Sequence, residues 1–202
     1  MFWKQILNFL ILQSGSSISQ FKVIYTAPTD PVIISLKIAA SSGFVIAFPI
    51  LFYQVWQFVA PGLLKNGKLR LFLLVTTSTL LFLVGVVFSY FTFPMIIEFL
   101  SGYSSGQVEA LYRVQEYLFF LIRLSIAFGI VFEMPLLSFI FTRLGLLTAS
   151  MMIGYFKYSI VGIFILSALL TPPDIISQLI MAIPLLLLYL ISIIISKVAE
   201  KK

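Results

Sequence analysis

The chain has 202 residues, 61% of them hydrophobic and only 10% charged, with a formal net charge of +6. A soluble domain carries about 25% charged residues, so this is an integral membrane protein, read as one domain over residues 1–202 and built from helices that satisfy their own backbone in lipid. It has no cysteine and no histidine, which excludes a disulfide framework, Ser-His-Asp and Cys-His catalysis and histidine metal sites.

No two acids share a predicted span, so neither an enzyme nor a metal or other cofactor is expected. The basic residues fall in loops that membrane topology explains, so they are no nucleic-acid signal.

Residues 1–12 (MFWKQILNFLIL) are apolar but reach only about 18 Å as a helix. They lie at the interface or are what remains of a longer helix. A Ser/Gly-rich loop follows over 13–20. Residues 22–31 (KVIYTAPTDP) are extended and then turn, with a helix start at Pro31. The first span covers about 32–52, with Lys37 near its start and able to snorkel. Residues 48–63 (FPILFYQVWQFVAPGL) place Tyr53, Trp56 and Phe58 where an interfacial aromatic belt would lie. Pro61-Gly62 ends that stretch.

Lys65, Lys68 and Arg70 precede a second span over about 71–93, which carries the polar run Thr76, Thr77, Ser78 and Thr79 one to two turns in. Residues 94–117 read as a longer loop with Glu98, Glu109, Arg113 and Glu116.

The third span, LFFLIRLSIAFGIVFEMPLLSFIF over 118–141, holds Glu133. An acid inside a membrane span is costly. It either snorkels at the rim or faces the bundle interior, where it meets a substrate or partner. Pro135 kinks the helix beside it, and Gly129, one turn earlier on the same face, leaves room for another chain. The depths of the two spans match Glu133 to the hydroxyls of Thr76–Thr79, its expected polar support.

A short span over about 158–170 runs into Thr171-Pro172-Pro173-Asp174, which reads as a helix start. Gln178 lies one turn further in, an amide that either ties two spans together or meets a foreign helix. The last span, over about 175–196, contains Pro184. The basic loops at 65–70, 143–157 and 197–202 fall on one side of this five-span layout, which the positive-inside rule makes cytoplasmic.

Four stretches in order, YTAPTDP with Lys37 downstream, AFPILFYQVWQFVAPGL, FGIVFEMPLL and LLTPPDIISQ, resemble the TatC family, the multi-spanning subunit of the twin-arginine (Sec-independent) protein translocase. The resemblance implies a concave, glove-like, all-α membrane bundle, with about five transmembrane helices here against six in the family. The first family span is cut to residues 1–12. It implies a receptor for twin-arginine signal peptides that works with TatA/TatB-type single-span proteins to export folded cargo on the proton gradient, in a bilayer, within a homo-oligomeric complex.

By resemblance, Glu133, Phe58, Pro61, Leu63 and Lys65 belong to signal-peptide binding, and Thr171, Asp174 and Gln178 to partner-helix docking. Gly67 stands where the family usually has a glutamate, and Asp30 where a glutamate is commoner. The inner face then holds one acid, Glu200, against eight basic residues, so an arginine pair is expected to need acids from elsewhere. The membrane is a plastid thylakoid, a bacterial plasma membrane or a mitochondrial inner membrane. The competing functions are a proton-coupled small-solute transporter subunit titrating Glu133 and a degenerate, non-binding homologue.

Overall fold

The computed structural model describes residues 22–59, 67–102, 111–172 and 174–200. Strand β1 (Lys22–Ile24) pairs in parallel with β2 (Leu111–Arg113), Lys22 opposite Leu111 and Ile24 opposite Arg113. The turn after β1 is closed by Asp30, whose carboxylate accepts the backbone N–H of Thr26 (2.8 Å) and of Ala27 (3.0 Å). The Thr26 hydroxyl in turn accepts from Arg113 Nε at 2.9 Å, and Arg113 pairs with Glu116 at 3.0 Å.

Helix α1 (Asp30–Val59) begins one residue before Pro31 and runs through Pro49. The first span and the aromatic stretch after it are therefore one helix. Helix α2 (Gly67–Ser101) passes through Pro94, where the sequence suggested a stop. A proline removes one intrahelical bond, but in lipid the backbone has no solvent to turn to, so the helix continues.

Helix α3 (Val114–Val131) and α4 (Met134–Arg143) are halves of one span, broken at Phe132-Glu133 just before Pro135. Gly145 (φ 74°) closes α4, with Gly145 N–H donating to Thr142 O and Leu146 N–H to Phe141 O, a left-handed cap that glycine adopts without a Cβ clash. A short helix α5 (Ala149–Gly154), capped by Thr148, fills the connection to α6 (Phe156–Leu170). Helix α7 (Ile175–Glu200) is last.

Among the described residues four segments are long and apolar enough to cross a membrane, Asp30–Phe58, Leu71–Ser101, Val114–Arg143 and Ile175–Glu200, and Phe156–Leu170 is a shorter fifth. Over those residues this is the helical bundle that the hydropathy indicated.

The spanning helices expose large apolar side chains as well as burying them, so the close crossings are marked by small and polar residues set among the buried Phe, Ile and Leu side chains. On α2 the buried stripe Ser78, Phe82, Gly85, Ser89 and Thr92 repeats every three to four residues. Helix α2 meets α3 so closely that a Cβ on Gly85 would lie 2.6 Å from Phe128 O, and one turn along Ser89 and Ser125 share a 2.7 Å hydrogen bond. Helix α4 meets α7 in the same manner. The Ser138 hydroxyl donates to Ser192 O (3.2 Å), and Thr142 Oγ1 bonds Ser196 Oγ (2.7 Å). The space beside Gly129 is not open to another chain: Phe82 of α2 fills it, stacked on Phe48 of α1 at 3.5 Å.

Candidate functional site

Glu133 sits in the break between α3 and α4, where the backbone turns without a full helical ladder: its N–H reaches Ile130 O at 3.1 Å and its carbonyl takes Leu137 N–H at 2.9 Å. The side chain is 5% exposed. It faces inward rather than snorkelling at the rim. Neither carboxyl oxygen has a hydrogen-bond partner among the described residues.

Of the polar run on α2, only Ser78 is buried and close enough to act on the Glu133 carboxyl, without reaching hydrogen-bond geometry. Thr76 and Thr77 are exposed, and the Thr79 hydroxyl is spent on Val75 O at 2.8 Å. The expected four-hydroxyl support thus reduces to one, because a helix turns about 100° per residue and four consecutive side chains cannot share a face.

Ser78 is itself held from α1. Trp56 is 3% exposed, and its indole Nε1–H donates to Ser78 Oγ at 2.7 Å. Trp56 is therefore not a belt residue. It packs with Leu136 and Ile140 of α4. An indole has one donor, and when buried it needs a partner. The nearest legible signal was a polar residue at matching depth on a neighbouring span. Tyr53 and Phe58 do face outward, Phe58 at 89% exposure. Pro61, Leu63 and Lys65 lie outside the described residues.

The second group gathers at the turn between α6 and α7. Thr171 ends α6 instead of starting α7: it is buried, and its hydroxyl donates to Ser167 O at 2.8 Å. Asp174 is the helix-start residue, its Oδ2 accepting Ser177 N–H at 2.7 Å. Gln178 Nε2 donates to the Phe164 carbonyl at 2.9 Å, so its amide ties α7 to α6. Asp174 Oδ1, Ser167 Oγ and Ser177 Oγ are buried without partners. Together with the two Glu133 oxygens, these are the buried side-chain polar atoms left unpaired among the described residues. No group of three metal-ligating side chains occurs among them either.

The family profile described as Sec-independent protein translocase protein (TatC) matches residues 1–184. The chain is 40% identical over 200 residues to the Sec-independent protein translocase protein TatC of Helicobacter pylori strain 26695, covering 98% of this chain and 77% of that one. It is 39% identical over 189 residues to the TatC protein of Aquifex aeolicus, covering 92% of this chain and 78% of that one. Its fold superposes on a crystal structure of the twin arginine translocase receptor TatC with a TM-score of 0.88 at 37% identity, covering 98% of this chain and 88% of the other.

Proposed function

We infer the function from one premise: the chain belongs to the TatC family of Sec-independent protein translocase proteins. It is a multi-pass integral membrane protein and a subunit of that translocase, a receptor component and not an enzyme. A receptor subunit of this kind works with other membrane proteins.

Within that function we assign two recognition sites. The first is centred on Glu133, with Phe58, Pro61, Leu63 and Lys65 on the inner side, and receives a twin-arginine signal peptide. The second is the α6–α7 turn with Thr171, Asp174 and Gln178, and takes the helix of a TatA/TatB-type single-span partner, in a complex holding more than one copy of this chain. Ser78 of α2 lends the first site polar support, without Thr76, Thr77 or Thr79. The proton gradient drives export once both sites are filled.

The observation that carries the assignment is the distribution of unpaired buried polar atoms. Among the described residues they concentrate at Glu133 and at the α6–α7 turn, the two places assigned here to an incoming chain. Leaving such an atom unpaired costs about 1–3 kcal/mol, a cost that an arriving donor removes.

The test is photo-crosslinking in membranes that contain this chain and its partners. A probe in the apolar part of a twin-arginine peptide is expected to label α3–α4, and Glu133→Leu to abolish that adduct while labelling near Phe58 persists. A probe in a partner's transmembrane helix is expected to label the α6–α7 turn in both cases. Unchanged peptide labelling in Glu133→Leu would overturn the first assignment.

A further inference from the structure

Away from Glu133, and bordering the second site at Thr171, two cations stand around one aromatic ring. Lys37 Nζ of α1 lies 4.4 Å from the centroid of Phe119, and Arg123 Cζ of α3 lies 4.9 Å from it. Phe119 is itself 43% exposed. The three line a cavity of about 410 Å³ whose far wall is Leu170, Thr171 and Pro172, the outer end of α6. Glu116 also reaches its rim, but its Oε1 is taken by Arg113 at 3.0 Å. Among the described residues neither Lys37 nor Arg123 meets a carboxylate.

Depth makes this arrangement unusual. Lys37 is seven residues into α1 and Arg123 nine past the start of α3, so they lie about 10 Å and 14 Å below those helix ends. Helix α6 has 15 residues, about 22 Å against a hydrocarbon layer of about 30 Å. It is too short to cross that layer alone, and its C-terminal end forms the wall of the cavity. A charged group at this depth needs either a counter-charge or a path to water, and the notch above α6 provides room for one.

We propose that this cavity is an anionic phospholipid site, in which Lys37 and Arg123 hold the lipid phosphate and Phe119 and Leu170 line the place of its first acyl carbons. The cavity opens on a surface where lipid is always present, with Leu36 of α1 exposed at 66% beside it. A phosphate presents several acceptor oxygens and so satisfies two separate cations at once, one bidentate and one point-like. The site lies apart from Glu133, so its failure would leave the translocase reading untouched.

The test uses the full purified chain and native mass spectrometry, with dioleoyl phosphatidylglycerol or dioleoyl phosphatidylcholine titrated into detergent micelles. Wild type is expected to retain phosphatidylglycerol over phosphatidylcholine. Lys37→Gln and Arg123→Gln should each weaken phosphatidylglycerol retention about fivefold, the contribution of one basic residue at an anionic lipid surface. Lys37→Arg and Arg123→Lys should keep the preference, which separates lost charge from a disturbed fold. Equal retention of the two lipids by wild type, or unchanged retention by the double glutamine variant, would overturn the proposal. Thermal stabilisation by inorganic phosphate alone equal to that by phosphatidylglycerol would also overturn it, because the source would then be a free anion. Loss of a single-span partner from the double variant with lipid retention intact would overturn it in favour of a partner's carboxylate.

Discussion

Replacing Gly85 by alanine probes the crossing that holds the Glu133 site together. An added Cβ would stand 2.6 Å from Phe128 O and 2.8 Å from the Cα of Gly129. Both are backbone atoms, so no rotamer change relieves the clash. Ordinary contact begins near 3.4 Å, so α2 and α3 must separate by about 0.8 Å at this point. Overpacking of that kind costs about 1–3 kcal/mol, and the Ser89–Ser125 bond one turn away, worth about 0.6 kcal/mol in a membrane, is stretched with it.

Alanine also raises helix propensity by about 1 kcal/mol, which partly hides the loss. Gly162 supplies the correction: it lies inside α6 with nothing within 4 Å of where an added methyl group would stand, so Gly162→Ala carries the propensity gain alone. Unfolding in detergent, followed by circular dichroism, should put Gly85→Ala about 1–3 kcal/mol below Gly162→Ala, since the propensity gain is common to both. Equal midpoints for the two variants would refute the close-crossing argument.

Ser78→Ala leaves the buried Trp56 indole without an acceptor and should cost about 1–3 kcal/mol. Trp56→Phe added to it should recover part of that loss, and a double variant worse than the sum would contradict the pairing. Gln178→Leu frees the Phe164 carbonyl and should lower stability by about 0.6–1.7 kcal/mol. It should also reduce co-purification of a single-span partner, and unchanged recovery would remove Gln178 from the docking site. Thr142→Val and Ser196→Ala should show a coupling of about 0.6 kcal/mol in a double-mutant cycle, and strictly additive losses would refute the α4–α7 bond.

The number of spans was legible because about 20 apolar residues in a row have few other uses. Glu133 was legible for the converse reason: it is the one acid within its span and Pro135 follows it. Helix ends were less so. Pro94 looked like a terminator by rules that hold in water, but α2 continues to Ser101.

Pairing between helices was the least legible, since helices apolar all round carry no inward-facing stripe of hydrophobicity. Its signal lay in Ser78, Gly85 and Ser89 at three- to four-residue spacing, and in Ser138 and Thr142 facing Ser192 and Ser196. Trp56 could not be separated from Tyr53 and Phe58 by composition, because a buried aromatic and a belt aromatic are the same residue in different company. Thr171 was legible as a cap but not as to which helix it caps.

The bundle treats its buried polar groups in two ways. Along the seams they are closed within the chain: Ser89 on Ser125, Thr142 on Ser196, and Tyr189 OH on the Met152 carbonyl at 2.9 Å. At the α3–α4 break and the α6–α7 turn they are left open. A closed seam fixes the neighbouring helices in one register, which is what holds an open group in place when no ligand is there. Phe82 adds to this one turn from Glu133, wedged between Gly129 and the Phe48 ring. On the assignment proposed above, the open groups cost stability in the isolated chain and would return it on association with a chain carrying the right donors. A receptor that must hold its signal and later let it go would be served by this arrangement, since the two groups lie at different junctions, α3–α4 and α6–α7, and could be filled in turn.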